Sequence, residues 1–229
     1  MLQVRKANER GHANHGWLDS YHTFSFADYY DRNHMHFSDL RVINEDVVEP
    51  GMGFGTHPHK DMEILSYVLE GSIAHKDSMG NIKTFSAGEF QIMSAGTGVT
   101  HSEFNPNNVE RLHFLQIWIM PNELGIQPRY NQKIFADQEG ATLILSPNAE
   151  GESFKIYQDM KLWRYQYPAG KVTDISLNPA RNYWLQVVKG DLKVNGTTFS
   201  TSDAAGIRAE DLITIETGSE VEFLLFDLR

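Results

Sequence analysis

Two short segments of the chain carry side chains able to hold a transition metal. In Gly51-Met-Gly-Phe-Gly-Thr-His57-Pro-His59 two histidines stand two residues apart, a spacing that on an extended strand turns both imidazoles to one face. In Ala95-Gly-Thr-Gly98-Val-Thr-His101-Ser-Glu103 the same period of two pairs an imidazole with a carboxylate. Together His57, His59, His101 and Glu103 offer three nitrogens and one oxygen, a donor set that suits Fe, Zn, Ni, Mn, Co or Cu. Four protein ligands around an ion that prefers five or six leave room for water, substrate or dioxygen. Such an open centre is catalytic in kind.

The chain contains no cysteine, which excludes disulfides, thiolate zinc sites, iron–sulfur clusters and a cysteine nucleophile together. All ten histidines fall between His12 and His113, so a metal centre belongs to the first half. His12, His15, His22, His75 and His113 read as packed or surface residues, and the His34-Met-His36 pair lies in a polar segment read as loop. Gly51-x-Gly-x-Gly55 lacks the spacing of a dinucleotide fingerprint, and Ala95-Gly-Thr-Gly98 lacks the Lys-Ser/Thr of a phosphate-binding loop. No Gly-x-Ser-x-Gly elbow supports a serine hydrolase.

The elements that must position these residues read as strands. Short runs rich in β-branched and aromatic residues, such as Leu40 to Asn44, Glu63 to Leu69, Glu89 to Met93, Leu112 to Met120, Leu185 to Val188 and Val221 to Phe226, alternate with Gly, Asn, Asp or Pro. Asp77-Ser-Met-Gly-Asn81 and Val194-Asn-Gly-Thr197 have the composition of hairpin turns. The polar stretch from Pro121 to Asp137 is assigned to a connection with room for one short helix. Leu65-Ser-Tyr-Val-Leu-Glu-Gly71 resembles Trp184-Leu-Gln-Val-Val-Lys-Gly190, and that repeat predicts two similar β-barrels in tandem. In the second copy Ser176 and Asn178 stand where His57 and His59 stand in the first, so it is expected to lack metal. The expected division is a metal-binding domain over residues 1–130 and a metal-free one over 131–229.

A net charge of −10 with scattered Lys and Arg offers no basic stripe for a phosphate backbone, so direct nucleic-acid binding is not expected. The charged opening MLQVRKANER and the lack of a long apolar run predict a cytoplasmic protein with no membrane segment. Trp17, Phe24, Phe26, Phe54, Met93, Phe114 and Trp118 are candidates to line an apolar pocket, with Phe54, next to the ligand strand, foremost.

The segments Gly51 to His59 with Gly71, and Gly88 to His101 with Asn105, resemble the two cupin motifs. Gly53-Phe-Gly-Thr-His-Pro-His-Lys-Asp-Met-Glu-Ile64 and Gly96-Thr-Gly-Val-Thr-His-Ser-Glu103 are similar, more narrowly, to the pirin family. Gly16-Trp-Leu, Phe24-Ser-Phe26 and Leu40-Arg-Val-Ile-Asn44 fit the same family. The resemblance spans the chain and lies with the bacterial pirin-like quercetinase branch. It implies an all-β bicupin, two tandem jelly-roll-like barrels, with one iron-type site of Fe(II) in the first. Its ligands carry over onto His57, His59, His101 and Glu103. In many cupins the carboxylate comes from the first motif, separated by six residues from the closing glycine. Here that position is Ile64, so the neighbouring Glu63 is an alternative ligand only if its strand is bulged. The implied activity is that of a quercetin 2,3-dioxygenase, with a flavonol-like aromatic substrate and O2 as partners and carbon monoxide as a product. The alternative the family implies is a metal-binding regulatory or redox-sensing protein that acts through a protein partner.

Overall fold

The computed structural model describes all 229 residues, almost wholly as strands and turns; a 3-10 turn at Ala7–Glu9 is its one helical element. No helix is long and apolar enough to cross a membrane. The chain divides into two compact units, one of residues 11–135 with 156–158, the other of residues 1–10, 136–155 and 159–229.

In the unit that carries the histidines, a seven-stranded sheet and a four-stranded sheet form the two layers. The large sheet runs, in spatial order, Arg129–Ile134, Glu89–Ser94, Glu63–Glu70, Leu112–Ile119, Leu40–Val48, Leu18–His22 and Gly11–Asn14. The small sheet runs Gly53–His59, Val99–Phe104, Ser72–Asp77 and Ile82–Ser86. Alternation drives this arrangement: in Leu40–Val48 one face, made of Val42, Asn44, Asp46 and Val48, is buried along its length, each residue at most 4% exposed. The segment from Pro121 to Asp137 contains no helix. Its central residues form the Arg129–Ile134 strand, which pairs with Glu89–Ser94 and ends the large sheet. Two prolines and many polar residues hid that strand, because an edge strand needs only one apolar face and one set of ladder bonds.

The second unit repeats the plan with a seven-stranded and a four-stranded sheet. Asn195 and Gly196 take positive φ (49° and 78°) between the strands Leu192–Val194 and Thr197–Phe199, the turn that Asn-Gly favours. Its interior is filled by Leu185, Val187, Ile207, Ile215, Phe223 and Leu225, all at most 2% exposed, and no metal-capable group of side chains lies within it. The sheet of this unit includes Leu2–Arg5, paired residue for residue with Ala204–Ile207. A division at residue 130 puts these residues in the first unit. Their pairing partner lies two hundred residues away, beyond the reach of any local pattern.

Candidate metal centre

His57 and His59 lie on the edge strand of the small sheet, and His101 lies directly opposite His57 on the neighbouring strand. Pro58 is tolerated there because an edge strand can forgo a ladder hydrogen bond. Between the pairs His101↔His57 and Glu103↔Phe54 the register shifts by one residue. This bulge at Gly55 and Thr56 lets the carbonyl of Gly55 turn back and accept a 2.7 Å hydrogen bond from His57 Nδ1. Nε2 of His57 is thereby left as the free donor atom, the usual way a ligating imidazole is oriented.

The three rings form a triangle, with centroids 4.8 Å apart for His57 and His59, 4.5 Å for His57 and His101, and 4.8 Å for His59 and His101. One nitrogen of each lies within 4.8 Å of the others. His101 is 1% exposed, yet neither of its ring nitrogens has a hydrogen-bond partner. Buried imidazole nitrogens are rarely left in that state, and an ion among the three rings would satisfy one of them. Burial, reinforced by the neighbouring histidines, pushes His59 down to about 4 and His101 down to about 3. Both rings are therefore neutral near pH 7, the form that binds metal. The donor set fits a divalent transition metal.

Glu103 stands two residues further along the same strand, 2% exposed. Its carboxylate falls in a second donor group with His101 and His75, adjoining the first through His101. Two donors from the large sheet hold it, Gln116 Nε2 to Oε2 at 2.9 Å and Ser66 Oγ to Oε1 at 3.3 Å. Burial raises its pKa, an effect opposed by the fields of His75, His57 and His59. Glu63, the alternative ligand, is turned elsewhere. Its strand pairs regularly with Glu89–Ser94 without a bulge, and its carboxylate meets Arg129 at 3.6 Å and the backbone N–H of Tyr157 at 3.3 Å.

His57, His59 and Glu103 open on a cavity of about 680 Å³. Of the aromatic candidates, Trp17, Phe26, Phe54 and Trp118 line it. Phe24, Met93 and Phe114 are packed in the core. Trp118 meets both His59 and Phe26 edge to face, at 5.0 and 5.4 Å. His12, His15 and His22, read from the sequence as incidental, also line the cavity. His75, read as packed or surface, is buried, with Nε2 3.0 Å from Asp77 and Nδ1 unpartnered. His34 and His36 bond locally to Asp31 and the Ser38 carbonyl and join no metal-capable group, while His113 pairs with Glu45.

Sequence reading missed a polar row across the large sheet, of which His22, Asn44 and Gln116 border the cavity. His22, Asn44, Gln116, Ser66, Gln91 and Gln132 are consecutive register partners across six strands of the large sheet, and so share one face. The available signal was a lone polar residue within an apolar run, Ser66 in Ile64-Leu65-Ser66-Tyr67-Val68 and Gln116 in Phe114-Leu115-Gln116-Ile117-Trp118. A buried polar side chain in such a run needs a partner.

Comparison with known proteins agrees with this geometry. Residues 3–119 match the family model described as Pirin, and residues 143–228 match the model described as Quercetinase C-terminal cupin domain. A protein named quercetin 2,3-dioxygenase from Escherichia coli (strain K12) is 59% identical over 228 residues, covering 100% of this chain and 99% of its own. A putative quercetin 2,3-dioxygenase from Pasteurella multocida (strain Pm70) is 56% identical over 232 residues, covering 100% of each. The crystal structure of the bacterial pirin YhhW from Escherichia coli in complex with nickel(II) has a TM-score of 0.97 and 59% identity, covering 100% of this chain and 99% of that one. The two-unit β architecture is thus the cupin fold, and the chain belongs to the pirin family.

Proposed function

We propose that this protein is a metal-dependent dioxygenase that opens the central ring of a flavonol with O2 and releases carbon monoxide, using His57, His59, His101 and Glu103 as metal ligands. The observation that carries the reading is the joining of a three-histidine cluster to an aromatic-walled cavity of about 680 Å³, a size suited to a small planar molecule. The names of the similar proteins support the same substrate class. The bound metal, Fe(II) in first place, would supply Lewis acidity toward the flavonol 3-hydroxyl and a path for its electron density to dioxygen.

The chain's own residues supply the rest. Trp17, Phe26, Phe54 and Trp118 offer faces and edges to flat rings and keep bulk water from the reacting atoms. Glu103, raised in pKa by burial, is the group able to accept the 3-hydroxyl proton. Gln116 and Ser66 fix the direction of its oxygens and, as donors, favour its ionised form. Taking up a proton weakens its attraction to a cation, so one carboxylate can serve as ligand and base in turn.

The test is to incubate Fe(II)-loaded protein with quercetin under air and assay carbon monoxide. Release is expected from the native chain and not from a His57→Ala/His59→Ala variant. Equal release from both, or none from either, overturns the proposal.

A further inference from the structure

Asn44 and Asp46 stand two residues apart on the Leu40–Val48 strand, on one face, and both line the cavity. Neither belongs to the proposed ligand set, and a strand this apolar does not need them for its core. Asn44 is 3% exposed and its Oδ1 has no hydrogen-bond partner. Asp46, 4% exposed, accepts the hydroxyl of Ser20, whose Oγ also lies 2.9 Å from His22 Nε2. Ser20 is the register partner of Asp46, and His22 that of Asn44, so the four side chains form a block across two adjacent strands.

The place of this block matters as much as its polarity. Gln116, which holds Glu103, is the register partner of Asn44 on the next strand. The block therefore begins one strand spacing from Gln116 and ends two away, about 5 to 10 Å. That span matches the separation between the reacting hydroxyl of a flavonol and the hydroxyl groups of its pendant ring. Residues whose only task was packing would be closed off by neighbours, whereas these border open volume and retain unused acceptor capacity. Burial pushes Asp46 up to about 7, so at neutral pH its carboxyl can donate to a phenolic oxygen as well as accept from a phenolic hydroxyl.

We infer that Asn44 and Asp46, braced by Ser20 and His22, form a hydroxyl-recognition subsite that selects polyphenols by the hydroxyl groups of the pendant ring. This deepens the proposed flavonol chemistry and rests on it. Asn44 and Asp46 act here in specificity and not in bond cleavage.

The experiment is an anaerobic calorimetric titration of the Ni(II)-loaded protein with galangin, kaempferol and quercetin, which carry none, one and two pendant-ring hydroxyls. Native protein is expected to bind quercetin about tenfold or more tighter than galangin, since a site built for hydroxyl groups disfavours the analogue lacking them. Asn44→Leu should lose most of that preference while keeping its affinity for galangin and its metal content. Asp46→Asn, nearly isosteric, gives a second reading should the leucine disturb folding, and is expected to reduce the preference severalfold. Equal binding of the three flavonols by native protein, or a full preference persisting in the folded variants, overturns the subsite alone. Failure of native protein to bind any of the three overturns the flavonol reading and the subsite with it.

Discussion

Gln116 donates a 2.9 Å hydrogen bond from Nε2 to Oε2 of Glu103, tying the large sheet to the small one at the carboxylate beside His101. Ser66 Oγ lies 3.3 Å from Glu103 Oε1 and 3.0 Å from Gln116 Oε1, its single proton placed between the two acceptors, so the three side chains form one connected unit. Gln116→Leu leaves a buried carboxylate with one donor fewer. Metal affinity is expected to fall by about 10–100-fold, the usual effect of removing a group that orients a ligand, with the fold intact. Competition against a chelator of known affinity measures it, and unchanged affinity would separate Glu103 from the metal.

The two donor groups share His101 but differ in their other members, which permits a direct discrimination. His57→Gln is expected to abolish stoichiometric metal in protein purified from metal-supplemented cells, whereas His75→Gln should retain about one ion per chain. Elemental analysis decides between them. Metal lost from His75→Gln and kept in His57→Gln would move the ion to the buried group.

Removal of the ion should leave the protein folded but less stable, because the core clusters around Val48, Val68 and Phe114 do not depend on it. Chelation is expected to lower Tm, and restoring the ion at a hundredfold excess over Kd should recover about 2.7 kcal/mol. Differential scanning calorimetry with and without the ion tests this. Complete unfolding on chelation would contradict it.

Asp46 gives a pH dependence of definite sign. Its folded-state pKa, near 7, lies above the ordinary 3.8 because burial disfavours the charge, so the folded state binds its proton more tightly than the unfolded chain does. The stability it contributes is full below about pH 4 and is lost as pH rises through about 7. His59 and His101, depressed to about 4 and about 3, act in the opposite sense: their contribution is present above pH 6.5 and is lost as pH falls. In metal-free protein, Asp46→Asn should therefore gain stability relative to the native chain as pH goes from 4 to 7. Chemical denaturation at several pH values reads the trend, and a constant difference would remove Asp46 from the titration.

Gly53 stands before the bulge and Gly55 within it, and the two make a paired test. A Cβ on Gly53 would stand 2.3 Å from the carbonyl oxygen of Glu103 and 2.5 Å from Phe104 Cα, whereas one on Gly55 meets nothing within 4 Å. Gly53→Ala is expected to destabilise the protein by about 2 kcal/mol or more and to weaken metal binding by pushing the ligand strand away. Gly55→Ala should change stability by less than about 1 kcal/mol. Urea titrations with metal analysis on both variants check the contrast.

Much was legible in the sequence because it depends on local regularities. The period of two in His57-Pro-His59 and in His101-Ser-Glu103 fixes which side chains share a strand face, and the Asn-Gly at 195–196 fixes a hairpin turn. The absence of cysteine and the crowding of histidine into one half likewise required only composition. With the β-branched runs and the likeness of Leu65–Gly71 to Trp184–Gly190, these gave the all-β class, the repeat and the segments in which a metal could be held.

Other features were decided only when distant strands met. Whether the wall behind Glu103 is apolar or polar depends on Ser66, Asn44 and Gln116 being register partners, and register is set by pairings between segments dozens of residues apart. The same holds for His22 and Asp46, which acquire a role only by facing a common cavity, and for Leu2–Arg5, whose sheet is chosen by a partner at the other end of the chain. Periodicity along one strand states which way a side chain points. What lies across from it is a property of the folded sheet, because hydrogen-bonded neighbours in a ladder are set by tertiary pairing and not by position along the chain.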